Sequence, residues 1–342
     1  MPLIVAVRII DMLAHNRRQF LAGLAVAGAS GAAPKPVSNS KLKIGCCSWC
    51  FHSYAPGVNP EEAVDTIAGL GFDGVELILL AQEDIQGIWT GATLDRLQKK
   101  LEQYRLPVTQ FVLFNRVVQD LASPSAEARA RTLDQFEAGC KIAARLGAPI
   151  LNVSSPSAAE MKGPADIPAI TEYYDVNNPK PGEKFHLDLT PSFEWNEIWQ
   201  RFVHTAKECL ARAKAHGLRL TIEPHTNCLV HDGFAFLRLW DAIRDPALWC
   251  NLDIGFAARA REYPPVVIYQ LNQRLLNVHM RDIDPPMRRF VNFGEGVIDS
   301  KAIADALKAI GYHGCATIEQ GRNPGGKAGC SRYLETMRQY FA

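Results

Sequence analysis

The chain reads as an α/β protein closing into a (β/α)8 TIM barrel, and three observations predict this. Eight short apolar runs alternate with longer stretches of helical period, helix stops fall at matching places, and the runs carry polar and apolar residues in strict alternation. The strand candidates are 42–47, 74–79, 108–114, 150–154, 218–223, 250–253, 275–280 and 315–319. Helical stretches between or after them include 60–70, 94–104, 126–146, 195–216, 234–243, 303–310 and 333–340. Gly71, Gly147, Gly217 and Gly311 stand where helices would end ahead of strands. Strict β-α order favours a parallel sheet, and eight repeats in about 300 residues favour closing it. An open doubly wound sheet is the alternative architecture.

The alternation within strands assigns their faces. Leu220 and Ile222 share one side of their strand, while Arg219, Thr221 and Glu223 share the other. Leu276 and Val278 stand opposite Asn277 and His279, and Ala316 and Ile318 stand opposite Cys315, Thr317 and Glu319. Side chains alternate along a strand, so the apolar side meets the helices and the polar side looks into the barrel.

Four strand ends carry the chemistry. Glu223, Asp253, His279 and Glu319 each close such a run, separated by 30, 26 and 40 residues, about one strand-plus-helix unit apiece. On neighbouring parallel strands they converge at one end of the barrel. Carboxylates crowded there repel one another and lose solvation unless a cation neutralises them. Three carboxylates and one imidazole suit a fairly hard divalent ion, with Mn²⁺, Mg²⁺ or Co²⁺ favoured over Zn²⁺. Taken singly, each residue could equally be an exposed strand end or half of an ion pair.

One connection is out of proportion. Residues 155–194 are rich in Pro, Tyr, Asn and charge and show no helical period. They follow the fourth strand and so hang over the end where barrel active sites are built. They read as a lid or substrate wall, with His186, Tyr173 and Tyr174 as contact candidates, or as a mobile surface insertion.

The first 33 residues read as a removable export signal, with 34–41 as linker and 42–342 as the barrel domain. Arg17-Arg18 precedes Phe20-Leu21 and a soft Gly/Ala-rich apolar segment ending at Ala33. Twin arginines point to the Tat route, which carries folded proteins to a periplasmic or secreted location. A membrane-lying or disordered tail is the alternative, and Met12 is a second candidate start. The segment is too short to span a bilayer, and no later one is long and apolar enough.

The full chain carries 37 basic and 36 acidic residues. Without residues 1–33 it loses Arg8, Arg17, Arg18 and Asp11, leaving 34 against 35. That balance offers no footprint for nucleic acid. Nine cysteines is an odd number, and most sit in apolar runs as small buried hydrophobes. Cys47-Ser48-Trp49-Cys50 spells C-x-x-C, but it ends a strand rather than opening a helix, which argues against a redox pair.

The chain resembles the sugar phosphate isomerase/epimerase-like barrels, related in fold to xylose isomerase and endonuclease IV. The resemblance runs over residues 42–341. It rests on Gly74-Val75-Glu76-Leu77, Glu223-Pro224-His225, Asn251-Leu252-Asp253-Ile254-Gly255 and Val278-His279-Met280-Arg281-Asp282. Gly294-Glu295-Gly296-Val297-Ile298-Asp299, Gly311-Tyr312-His313-Gly314 and Ile318-Glu319 complete it. It implies one divalent metal on Glu223, Asp253, His279 and Glu319, with Glu223 and Glu319 also acting as the acid-base pair. Such a pair removes a proton beside a carbonyl and returns it to the next carbon or to the opposite face, giving isomerisation or epimerisation. Phe256, Leu229 and Pro285 replace a histidine, a glutamate and an arginine that handle substrate hydroxyls in many relatives.

The expected activity is therefore a metal-dependent isomerase or epimerase, with manganese the favoured ion. Export points to an unphosphorylated sugar or keto-sugar as substrate. His225, Glu76, Trp49, Asn152, Arg281 and His186 are the substrate-contact candidates. A lyase or dehydratase cleaving keto-glycosides shares the first step, and a non-catalytic sugar-binding module is the alternative from another class. A homo-oligomer is left open. A nuclease is disfavoured by the missing basic face.

Overall fold

The computed structural model describes residues 42–162, 188–226, 228–287, 289–320 and 326–341. The signal and linker readings, and Tyr173, Tyr174 and His186, lie outside the described residues. Lys41–Ala342 form one compact unit.

Eight parallel strands close the barrel: β1 (Lys43–Cys47), β2 (Gly74–Leu79), β3 (Val108–Leu113), β4 (Ile150–Ser154), β5 (Arg219–Glu223), β6 (Leu248–Asp253), β7 (Leu275–Met280) and β8 (Cys315–Ile318). Each pairs with its neighbours in sequence, and β1 pairs with β8 to shut the cylinder. The open sheet is thereby ruled out. Around it stand α1 (Glu61–Leu70), α2 (Gly91–Tyr104), α3 (Ala126–Arg145), α4 (Trp195–Ala215), α5 (Gly233–Ile243), α6 (Pro264–Leu271), α7 (Ser300–Ala309) and α8 (Gly326–Tyr340).

Local chemistry explains the boundaries. Thr90, Ser125, Asp232 and Asp299 open α2, α3, α5 and α7, each accepting a hydrogen bond from a backbone N–H three residues on. The four glycine stops all have positive φ, 64° to 84°, as a helix end in the left-handed region requires. The helix missing from the sequence reading is α6. It spans eight residues, starts with two prolines and leaves Val266 and Tyr269 exposed, so its period is weak in the sequence.

The two faces divide as the alternation predicts. Leu77, Leu151, Val153, Leu220, Ile222, Val278, Ala316 and Ile318 belong to the buried apolar layer under the helices. The inside of the cylinder is a polar lattice. Asn277 Nδ2 on β7 donates to Glu76 Oε1 on β2 at 2.8 Å and to Asn251 Oδ1 at 3.0 Å. Thr221 Oγ1 on β5 donates to Asn152 Oδ1 at 2.8 Å and to Gln110 Oε1 on β3 at 3.3 Å. β7 and β2 are not neighbours, and neither are β5 and β3, so these bonds run through the interior. Buried polar groups are affordable only when paired in this way.

The Gly294–Asp299 motif also has a structural reason. Asp282, just after β7, accepts the N–H groups of Gly294, Gly296 and Ile298 at 2.9–3.1 Å. A Cβ on Gly296 would stand 2.2 Å from Asp282 Oδ1, so only glycine lets the chain approach.

Asn277→Ala would strand the acceptors of Glu76 and Asn251 in the interior. The expected loss is roughly 2–4 kcal/mol of unfolding free energy, read by urea denaturation at neutral pH. A change below about 0.5 kcal/mol would show the lattice to be dispensable.

Candidate metal centre and active site

Glu223 closes β5, Asp253 closes β6, His279 is the penultimate residue of β7, and Glu319 follows β8 directly. All four are buried at the C-terminal mouth, where barrel strands present catalytic groups. One ligand atom from each falls within 4.8 Å of the others. The sequence spacing thus brought together the four side chains it singled out.

Each is fixed by several partners. Glu223 Oε2 accepts from Asn152 Nδ2 at 2.6 Å and from Asn251 Nδ2 at 2.8 Å, while Oε1 lies 3.1 Å from His225 Nε2. Asp253 caps the short helix Ile254–Arg259, its Oδ1 accepting from Phe256 N at 2.9 Å, and Oδ2 takes Arg281 Nε at 2.5 Å. Glu319 Oε1 accepts from Trp49 Nε1 at 3.0 Å, from Tyr54 at 3.4 Å and from Arg281. His279 Nε2 meets Glu76 Oε2 at 2.8 Å, which turns Nδ1 toward Glu319 and Glu223.

Electrostatics follow from this packing. Burial pushes the Glu223 carboxyl up, but His279 and His225 outweigh it and hold it well below the ordinary carboxylate range. Burial likewise raises Glu319, and Arg281 with His279 overcomes it, bringing the group to about 2. For Asp253 burial prevails over the Arg281 charge and the carboxyl is raised. Burial disfavours the charged imidazole of His279, yet Glu76, Glu223 and Glu319 together lift it well above the usual histidine value.

The residues fit a divalent ion. Four buried carboxylates, Glu76 included, gather around one guanidinium and the imidazoles of His279 and His225, a donor set rich in acidic oxygens. Glu319 Oε2 is buried without a hydrogen-bond donor, although His279 Nδ1 stands 2.7 Å away out of donor alignment. An oxygen and a nitrogen that approach without bonding suit a shared cation. The contact from His279 Nε2 to Glu76 fixes the ring orientation, as a carboxylate behind an imidazole would for a ring that holds a cation with its other nitrogen.

A cavity of about 680 Å³ opens above these groups. Trp49, His225 and Arg281 line it, with Glu223, His279 and Glu319 on its floor. Two sequence-derived substrate candidates lie elsewhere. Glu76 and Asn152 are fully buried below the floor, where they bond to His279 and Glu223. Strand periodicity assigned their face but not their depth.

Sequence reasoning missed Tyr54, Phe114, Arg116, Asp120 and Phe290, which also line the cavity. Their signal was weak: they sit on loops, short helices or, for Phe290, a two-residue strand, all beyond the ends of the barrel strands. Phe256 packs its ring 3.8 Å from that of His225 and edge-on to Phe290, and Arg281 lies 4.5 Å over the Phe290 ring. Leu229 is buried away from the cavity, and Pro285 sits in an exposed turn. Ser155, Pro156, Ser157 and Ala159 wall the cavity, so the start of the long connection does border the site. Its described parts pair Met161–Lys162 antiparallel with Asp188–Leu189.

Fold and site together define a barrel with a carboxylate–imidazole ion cluster at its C-terminal mouth. The model of the xylose isomerase-like TIM barrel family matches residues 64–339, and the chain belongs to that family. Comparison with curated proteins gives no match. Solved structures share the fold at low identity. D-allulose 3-epimerase from Methylomonas sp., in complex with D-allulose, is 17% identical with a TM-score of 0.64, covering 88% of this chain and 98% of that one. 3-Keto-D-glucoside 4-epimerase from E. coli is 17% identical with a TM-score of 0.65, covering 87% and 100%. A Bacillus anthracis protein of petrobactin synthesis, described as a 3-DHS dehydratase, is 16% identical with a TM-score of 0.65, covering 87% and 99%.

Glu319 is held at about 2 against an ordinary 4.5, so its contribution to stability is complete above pH 4.5 and is lost as pH falls toward 2. In chelator-treated protein the stability gap between wild type and Glu319→Gln should narrow steadily as pH falls from about 4.5 to about 2.5. A gap that stays constant would mean the carboxylate is not held by its neighbours.

Proposed function

We propose that this protein is a divalent-metal-dependent sugar isomerase or epimerase that removes a proton beside a carbonyl of an unphosphorylated sugar or keto-sugar. The observation that carries the reading is the pairing of Glu223 and Glu319 around one ion cluster on the floor of one cavity. Both stay ionised at neutral pH, and the sugar epimerases among the structural neighbours support the same class. The ion, with Mn²⁺ the favoured identity, would be held by Glu223, Asp253, His279 and Glu319 and would supply Lewis-acid stabilisation of developing negative charge on substrate oxygens.

The side chains divide the remaining work. One glutamate takes the proton from carbon and, as the acid so formed, can return it to the neighbouring carbon; delivery to the opposite face of the same carbon falls to the other, which first takes up a proton from a substrate hydroxyl or solvent. Asn152, Asn251 and His225 hold Glu223 in place, and Trp49 and Tyr54 hold Glu319. Glu76 fixes the ring of His279. Arg281, already between Asp253 and Glu319, offers a cation to substrate oxygens.

A second reading, a lyase on keto-glycosides, is favoured by the size of the cavity and its aromatic wall of Tyr54, Phe114, Phe256 and Phe290. That space is ample for more than one sugar ring, and the same proton removal could expel a leaving group. A non-catalytic binding module would keep the cavity but need no acid-base pair.

The purified protein should hold one divalent ion, lost in both Asp253→Ala and His279→Ala. Glu319→Gln should lower turnover of keto-sugars by roughly 10²–10⁴-fold with the fold retained. Release of an aglycone would select the lyase, and full turnover in Glu319→Gln would reject Glu319 as an acid-base group.

We further propose export through the Tat machinery to a periplasmic or secreted location, supported by Arg17-Arg18 and the apolar segment behind it. N-terminal sequencing of exported protein should find residues up to about Ala33 removed. A mature protein that retains Arg17-Arg18 would overturn this.

A further inference from the structure

Behind the active site lies a second cluster of ligating side chains. Cys46 on β1, Cys50 in the turn Ser48–Cys50 and Cys330 on α8 bring their sulfurs within 4.8 Å of one another. All three are buried and free of disulfides. Cys46 pairs in register with Ile318 on the outward face of the barrel, so the cluster sits between the sheet and α8, separate from the inward-facing ion cluster. Of the two cysteines in the C-x-x-C, Cys50 groups with Cys46 and Cys330, while Cys47 faces Glu76.

The spacing of the sulfurs suits a single ion between them. Cys46 Sγ stands 4.0 Å from Cys330 Sγ. Two sulfurs bound to one ion at about 2.3 Å lie roughly 3.8 Å apart in tetrahedral and 4.0 Å apart in trigonal geometry. The sulfurs also receive N–H groups, from Gln320 N to Cys50 at 3.3 Å and from Gln320 Nε2 to Cys330 at 3.7 Å. Phe293 N donates to Gln320 Oε1 at 2.7 Å, which aims the amide nitrogen at the cluster. A Cβ on Gly329 would stand 2.5 Å from that nitrogen, so α8 accommodates Gln320 only with glycine there. Hydrogen bonds from Cys46 and Cys50 hold the Cys330 thiol down at about 4, whereas burial pushes the Cys46 and Cys50 thiols up.

We propose that Cys46, Cys50 and Cys330 form a second metal site that takes one thiophilic d¹⁰ cation, monovalent copper fitting the three-sulfur shell best. Soft thiolates select such ions over the hard ones suited to the carboxylate cluster. The enclosed position means the ion is loaded as the chain folds. Once bound it ties α8 to β1 and to the turn carrying Trp49, whose indole donates to Glu319. The site stands independently of the activity proposed above.

The test uses the full chain purified without oxygen, with hard ions stripped by an oxygen-donor chelator. One equivalent of Cu(I) should be retained against a chromophoric Cu(I) chelator, and X-ray absorption should show three sulfur neighbours near 2.3 Å. Cys46→Ser and Cys330→Ser, checked for folding by circular dichroism, should each weaken retention beyond the roughly 10–100-fold cost of losing an outer-shell partner. Cys228→Ser, which removes the one cysteine that is not buried, should retain copper as wild type does. The proposal is overturned if wild type yields its copper to the chelator, or if the absorption spectrum shows nitrogen and oxygen neighbours. Peptide mapping that finds any two of the three cysteines joined as a disulfide overturns it as well. The wild-type spectrum decides the matter even if a serine variant fails to fold.

Discussion

The geometry of the mouth depends on one buried contact, between the imidazole of His279 and the carboxylate of Glu76 beneath it. Glu76 is enclosed in the barrel and held in turn by Asn277 and Gln110. Its grip on Nε2 leaves Nδ1 as the ring atom that faces Glu223 and Glu319. The polar lattice inside the cylinder therefore serves as a template. It costs conformational freedom and desolvation during folding, and in return three acidic side chains from three strands stand close together around one nitrogen.

Arg281 completes that balance. Lying between Asp253 and Glu319, it relieves two carboxylates that would otherwise repel each other. One guanidinium does not match the negative charge gathered around it, so the mouth keeps an attraction for cations. Asp253 retains a raised carboxyl despite its arginine partner, a mark of how strongly burial weighs at this depth.

Much of this was legible in the sequence because strands impose a period of two and barrels a regular repeat. Glu223, Asp253, His279 and Glu319 could be placed on one rim from alternation and spacing alone. Depth along a strand leaves no comparable trace, which is why Glu76 and Asn152 looked like mouth residues. The grouping of Cys46 and Cys50 with Cys330 joins positions 280 or more residues apart, which local spacing cannot register. Helix α6 escaped notice because its prolines and outward Tyr269 mask the amphipathic pattern. The aromatic side chains around the cavity sit on connections, where neither period applies.

Asp253 does two things at once: one oxygen starts the short helix Ile254–Arg259 and the other belongs to the ion cluster. The N–H it caps is that of Phe256, whose ring covers His225. Reshaping the cavity wall at position 256 therefore means altering a residue fastened directly to the carboxylate–imidazole cluster, and the wall here cannot drift independently of the side chains beneath it. New substrate preferences would be acquired more freely on the opposite rim, around Phe114 and Arg116, where the backbone is not tied to that carboxylate.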